Sequence, residues 1–190
     1  MQKNNISFRE ELLILVDARD NIIGYENREK CHEGEGLLHR AFSIFIFNDD
    51  GQLLVQKRSA EKPLWPLHWS NSACSHPCKG ESYDEATVRR LNEELGFETS
   101  LQLLFKFQYQ ARFKNIGSEN EMCSVYIGKA NGIVQADPKE IAEWKYIDRE
   151  TLNKDMMTRP QIYTPWFKME WDRIQRHYRV DIENLWQPNS

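Results

Sequence analysis

Between Ser82 and Gly96 the sequence writes out both ends of one helix, and no other segment constrains the fold as tightly. Ser82 followed three residues later by Glu85 is a capping box, in which each residue satisfies a backbone donor of the other at the helix start. Gly96 can adopt the left-handed conformation that closes a helix. A helix over about 83–95 is predicted, and the remaining elements must be arranged around it. Its charges run against the helix dipole: Arg89 and Arg90 lie mid-helix, while Glu93 and Glu94 occupy the last turn, at the negative end. Arg four residues before Glu is also the weaker orientation of such a pair. Each effect is worth a few tenths of a kcal/mol up to about 1 kcal/mol, which a solvated charged face could absorb. A divalent cation held against the two carboxylates is the stronger reading, because hard cations prefer carboxylate oxygen. Arg90, one turn behind Glu94, could then hold a phosphate bound to that cation.

Around this helix the pattern is mostly strand. Residues 11–16 and 22–25 flank the turn Asp17 to Asn21 as an opening hairpin, and 41–47 and 52–58 form a stronger pair across Asn48-Asp49-Asp50-Gly51. Segments 101–109, 121–130 and 143–147 alternate as strands, whereas 161–178 has a helical aromatic pattern. Between Glu61 and Pro77, three prolines and two tryptophans without helical period predict an ordered loop. A chain of 190 residues, 40% hydrophobic, can bury one substantial core, so a single α+β domain over 1–190 is expected.

The 25 basic and 29 acidic residues are mixed along the chain, giving a net charge of -4 and no field that favours nucleic acid or an anionic membrane. Any anion site must be local. No run approaches the roughly 18 apolar residues of a membrane span, and Met1 to Glu11 lacks an apolar signal core, so a cytoplasmic location is expected. The four cysteines read as thiols, because a chain with this much aromatic core needs no disulfide staples. Cys74 and Cys78, separated by three residues of which one is Pro77, match neither a redox pair nor a zinc-finger pair. The oligomeric state is left open.

Two clusters carry candidate chemistry. In Asn71-Ser72-Ala73-Cys74-Ser75-His76-Pro77 the cysteine by itself reads as an inert core thiol, but neighbouring His76 or a metal can lower its pKa and fit it for proton transfer. In Glu119-Asn120-Glu121, strand geometry sends both carboxylates to one face, where they repel unless protons, bases or metal neutralise them. His32 and His39, around the Glu33 to Gly36 stretch, each read singly as an ordinary surface or core histidine. Together with His76 and the two glutamates they make an N/O set of up to five ligands, suited to manganese or magnesium, with zinc as the alternative.

Glu81, Arg89, Glu93, Glu94 and Gly96 stand at the spacing of the Nudix box, with Ser75 where the box begins with Gly and Arg90 where a Glu normally follows the box Arg. Adding His32 and His39, the Asn71 to Pro77 loop, Tyr109 ten residues before Glu119, the Glu-Asn-Glu triplet and Thr164-Pro165-Trp166, the chain resembles the type 1 isopentenyl-diphosphate delta-isomerases, a branch of the Nudix superfamily. The resemblance implies a Nudix-like mixed sheet sandwich with a central helix and a C-terminal helix. It implies interconversion of isopentenyl and dimethylallyl diphosphate, with Cys74 and Glu121 on opposite sides of the substrate, Tyr109 assisting proton delivery and Trp166 facing the positive intermediate. His32, His39, His76, Glu119 and Glu121 would bind one divalent metal, and Glu94 would hold magnesium against the diphosphate. Arg28, Arg58, Lys62 and Arg90 would bind the prenyl diphosphate. From the residues alone, Trp166 reads first as core packing. Competing functions are a Nudix hydrolase of another diphosphate, which Arg90 disfavours, and a non-catalytic metal or prenyl-diphosphate scaffold, which has no need of both Cys74 and Glu121.

Overall fold

The computed structural model describes residues 12–187; Glu11, expected at the head of the first strand, lies outside them. In chain order the elements are β1 (Leu12–Val16), β2 (Ile22–Asn27), α1 (Arg28–His32), β3 (His39–Phe47), β4 (Leu53–Arg58), β5 (Trp69–Ser70), β6 (Ala73–Ser75), α2 (Tyr83–Leu95), β7 (Leu101–Phe113), β8 (Gly117–Lys129), β9 (Ile141–Ile147), α3 (Arg149–Thr158), a 3-10 turn (Pro160–Ile162), α4 (Pro165–His177) and α5 (Arg179–Asn184). The architecture is the α+β mixed sheet expected from the sequence.

Local chemistry sets the connections. Asp17 accepts the backbone N–H groups of Arg19 and Asn21 at 2.8 and 2.9 Å and closes the first hairpin. Asn48 Oδ1 accepts the Gln52 N–H, and Gly51 takes a φ of 74°, where any larger residue would be strained. On α2 both halves of the Ser82–Glu85 box are formed, and Gly96 closes the helix in the left-handed region.

β3 organises the core because it is buried on both faces. Its alternation sends Phe42, Ile44 and Ile46 toward Ala86, Leu91 and Leu95 of α2. The opposite face sends Ala41, Phe45 and Phe47 toward Phe167, Trp171 and Ile174 of α4. Burying each large apolar side chain contributes roughly 1.5–3 kcal/mol, so the two helices clamp the strand from either side.

Pairing along β3 is what opens the cleft. β8 runs parallel to it over nine residue pairs, from His39↔Glu121 to Phe47↔Lys129. On the other edge β4 pairs only at Phe47↔Leu53, and the strands then diverge. β6 pairs with β3 and β5 with β4 inside that fork. The segment expected as one ordered loop over 61–77 therefore contains two short strands, because its backbone groups must find partners between the diverging strands.

The C-terminal helix is also shorter than its aromatic period suggested. Pro160–Ile162 forms a separate 3-10 turn, and α4 starts at Pro165, whose missing N–H and fixed φ suit the first helical position. Helices α1, α3 and α5 were not apparent in the sequence pattern; none exceeds 10 residues, too short for a clear apolar stripe. No helix among the described residues is long and apolar enough to cross a membrane.

Candidate active site

A cleft of about 560 Å³ opens where β3 and β4 part, and Cys74, His76, His32, Tyr109, Glu119, Glu121 and Trp166 all line it. Register explains how they meet. Glu119 and Glu121 sit two apart on β8 and share a face. Tyr109 on β7 lies directly across from Glu121, and His39 at the head of β3 lies across from it on the other side. Cys74 on β6 pairs with Ser43 of β3. Cys74 and Glu121 thus come from strands on opposite sides of β3.

The three imidazoles and two carboxylates converge, each offering a ligand atom within 4.8 Å of all the others. His32 Nε2 is 2.8 Å from Glu119 Oε2, while His76 Nε2 and His39 Nε2 are 2.9 and 3.8 Å from Glu121 Oε1. Neighbouring carbonyls select two of the tautomers. His32 Nδ1 lies 2.7 Å from the Arg28 carbonyl and His39 Nδ1 lies 2.7 Å from that of Leu37, so both Nδ1 atoms donate. The His39 Nε2 lone pair faces the cluster, while His32 Nε2, beside Glu119, is favoured in its protonated form and would turn a lone pair to a cation on losing that proton. His39 Nε2, His76 Nδ1 and Glu119 Oε2 are buried without an aligned hydrogen-bond partner. Three such atoms in one cluster would be costly in an apo protein. The donor set and the orphaned atoms both fit a divalent cation.

Burial and mutual charge divide the two glutamates. Burial and the charge of Glu119 push the Glu121 carboxyl well above the usual range. Burial also works to raise Glu119, but the neighbouring His32 ring and its charge bring it down to about 2. Burial lowers His39 to about 4 and pushes His76 well below its usual value, which favours the neutral, ligand-competent form of both. Tyr109 donates to Glu121 Oε2 at 2.6 Å. Burial and the neighbouring Glu121 charge hold the phenol protonated.

Cys74 is half-buried at the cleft wall, and burial pushes its thiol up to about 12 against the opposing pull of Arg58. It is a thiol rather than a thiolate at neutral pH, a proton carrier with Arg58 Nη1 3.9 Å from its sulfur. Trp166 serves packing and cleft together. It is 3% exposed in the apolar core, donates Nε1–H to Ser70 Oγ at 3.1 Å, and has the Arg58 guanidinium 5.2 Å from its ring.

Arg28, Arg58 and Lys62 line the cleft as basic groups, but Glu94 and Arg90 lie beneath its surface. Arg90 Nη2 and Nε reach Glu94 Oε1 at 2.6 and 3.1 Å, its Nη1 reaches Glu93 at 2.8 Å, and its Nη2 also lies 3.2 Å from Glu140. Gln56 donates to the remaining Glu94 oxygen at 3.2 Å. Arg90 itself therefore neutralises the two carboxylates that sat unfavourably at the end of the helix dipole. Two cleft residues carry no sequence signal. Lys139 and Glu140 stand in a plain polar stretch before β9, and Glu140 bridges Lys62 and Arg90.

Residues 37–167 match the NUDIX domain. The chain is 38% identical over 171 residues to isopentenyl-diphosphate Delta-isomerase 1 of Photorhabdus laumondii, covering 88% of this chain and 97% of that protein. It is 43% identical over 158 residues to the isopentenyl-diphosphate Delta-isomerase of Serratia proteamaculans, covering 83% and 88%. Among solved structures, the Deinococcus radiodurans protein DR0079 superposes with a TM-score of 0.70 at 24% identity, over 89% of this chain and all 100% of that one. A MutT protein of Methanosarcina mazei superposes with a TM-score of 0.62 at 17% identity, over 75% and 96%. At these identities the structures speak to the fold alone.

Proposed function

We infer the chemistry from one premise: the chain belongs to the isopentenyl-diphosphate delta-isomerase family of NUDIX-domain proteins. It is an isomerase that interconverts isopentenyl diphosphate and dimethylallyl diphosphate. The observation that carries the mechanism is the placement of Cys74 and Glu121 in one cleft from opposite sides of β3.

Moving the double bond requires a proton to be added at the terminal alkene carbon and another removed from the carbon on the far side of the cationic centre. Cys74 and Glu121 are the two groups that exchange those protons, each facing one side of the bound chain. Burial holds the Cys74 thiol protonated and raises the Glu121 carboxyl, so each can carry a proton, and when one of the two donates the other accepts in its deprotonated form. Tyr109, bonded to Glu121, holds that carboxyl in one orientation and can pass a proton to it. The indole face of Trp166 stabilises the tertiary cation, an interaction worth ~2 kcal/mol or more when water is excluded, without a lone pair that would readily trap it. Arg28, Arg58 and Lys62 take the diphosphate at the polar end, guanidinium groups matching its oxygens in pairs.

His32, His39, His76, Glu119 and Glu121 would hold one divalent cation, manganese, zinc or magnesium, and Glu94 would reach magnesium carried by the diphosphate only by exchanging a bond to Arg90 or Gln56 for it. When bound, these ions lower the pKa of Glu121 and screen the diphosphate charge. For Arg90 the role is support: its bonds to Glu93, Glu94 and Glu140 keep the carboxylates placed rather than free to open the phosphate linkage.

The test is incubation of purified, metal-loaded protein with isopentenyl diphosphate and magnesium in deuterated water. Dimethylallyl diphosphate with deuterium in its methyl groups is the expected product. Release of inorganic phosphate or pyrophosphate without isomer would point to a hydrolase and overturn the reading.

A further inference from the structure

The least expected buried group in the molecule is Glu170. It sits on α4 with 0% exposure, inside the apolar cluster that includes Phe45, Phe167 and Trp171. A carboxyl there is costly unless it has partners. Its Oε1 accepts from the Cys123 thiol at 3.5 Å, the same thiol lies 3.6 Å from Ser43 Oγ, and Oε2 has no partner among the described residues. Among those residues it makes no salt bridge, and no step of the proposed mechanism uses it.

Its position relative to the cleft is specific. Trp166 lies four residues earlier on α4, so the two side chains share a helix face. Cys123 lies two residues after Glu121 on β8, on the same side of the sheet. Ser43 is the β3 residue that pairs with Cys74. The carboxyl therefore reaches, through one thiol and one hydroxyl, the strand of Glu121 and the strand neighbour of Cys74, from the helix that presents Trp166.

We propose that Glu170 is a positioning residue: it docks the helix bearing Trp166 onto the two strands that place Cys74 and Glu121, and so sets the indole's height over the reacting carbons. This rests on the isomerase reading. Burial holds the carboxyl protonated up to about 8, in keeping with a neutral tie rather than an ionic one. The groups that act on it are the Cys123 thiol from β8 and the Ser43 hydroxyl from β3, Glu121 further along β8 feels its charge, and none of these is a cation to compensate an ionised form. Above pH 8 the charge would be left unpaired in the core, and α4 would loosen from the sheet.

The variants that test this are Glu170→Gln, which keeps a neutral hydrogen-bonding group, and Glu170→Leu, which keeps only volume. At pH 7 Glu170→Gln should hold kcat within about twofold, while Glu170→Leu should lose about tenfold or more in kcat with KM for isopentenyl diphosphate little changed. Wild-type kcat should fall between pH 8 and 9 and that of Glu170→Gln should not. Hydrogen exchange across Pro165–His177 should quicken in the wild type over the same range and stay constant in Glu170→Gln. Full kcat in a folded Glu170→Leu protein, or matching wild-type and Glu170→Gln profiles, would overturn the proposal. If Glu170→Leu does not fold, the wild-type and Glu170→Gln comparison decides alone. If the wild type shows no turnover, the isomerase reading fails while hydrogen exchange still reports on the docking of α4.

Discussion

Arg90 grips Glu94 from one helical turn away, with Nη2 2.6 Å and Nε 3.1 Å from the same carboxylate oxygen. At 8% and 2% exposure the pair is buried, and the order Arg before Glu that weakens a solvent-exposed pair matters little once water is removed. The carboxylates that run against the helix dipole are thus met by an arginine of the same helix.

Removing the cation leaves a buried, uncompensated charge. Arg90→Met should cost about 3–5 kcal/mol in urea unfolding, and the double variant with Glu94→Leu should recover much of it. A loss under about 1 kcal/mol in the single variant would show the pair to be solvated.

The histidine cluster predicts metal-dependent stability. Manganese or zinc at about 100 times its Kd should stabilise the wild type by about 2.7 kcal/mol, and a chelator should remove the gain. His39→Ala deletes a donor whose Nε2 lone pair has no other partner, so calorimetric scans of that variant should barely respond to metal. An equal response in the variant would remove His39 from the ligand set.

Glu140 makes stability depend on acid. Burial works to raise this carboxyl, but Lys62 and Arg90 bring it down to about 2 from an ordinary 4.5. The folded state therefore holds the charged form more tightly than the unfolded state does. The stabilisation is complete above pH 4.5 and is lost as pH falls from there to about 2. Glu140→Gln should flatten that part of the stability profile measured by denaturant unfolding; an unchanged acid limb would refute the assignment.

Cys74→Ser and Glu121→Gln should each lower kcat by about 10²–10⁴-fold, the usual contribution of a positioned acid or base. Circular dichroism should show both variants folded. Substantial turnover in either would transfer the proton step to another group, with Tyr109 the nearest to Glu121.

Much of the fold and half of the site were legible before any coordinates. The capped helix, the turn at Asp17 and the paired carboxylates on β8 depend on residues no more than a few positions apart, and short-range sterics and hydrogen bonding encode them directly. The Cys74 and Glu121 pairing came from a resemblance of motifs, and their shared cleft is formed by strands far apart in sequence. Lys139, Glu140 and Glu170 escaped notice because nothing periodic marks them. Glu140 meets Lys62 across 78 positions and Glu170 meets Cys123 across 47, contacts without a local signature.

By itself, then, the sequence determined where the helix begins and ends, which strands alternate, and which residue types were on hand for metal and proton chemistry. Tertiary structure decided which imidazole nitrogens face inward, which of two neighbouring glutamates has its pKa pushed up and which down, and that Arg90 pairs with Glu94. The reason is electrostatic. In a low-dielectric interior the energy of a charge depends on its partners within a few ångströms, and those distances exist only after packing has brought remote strands together.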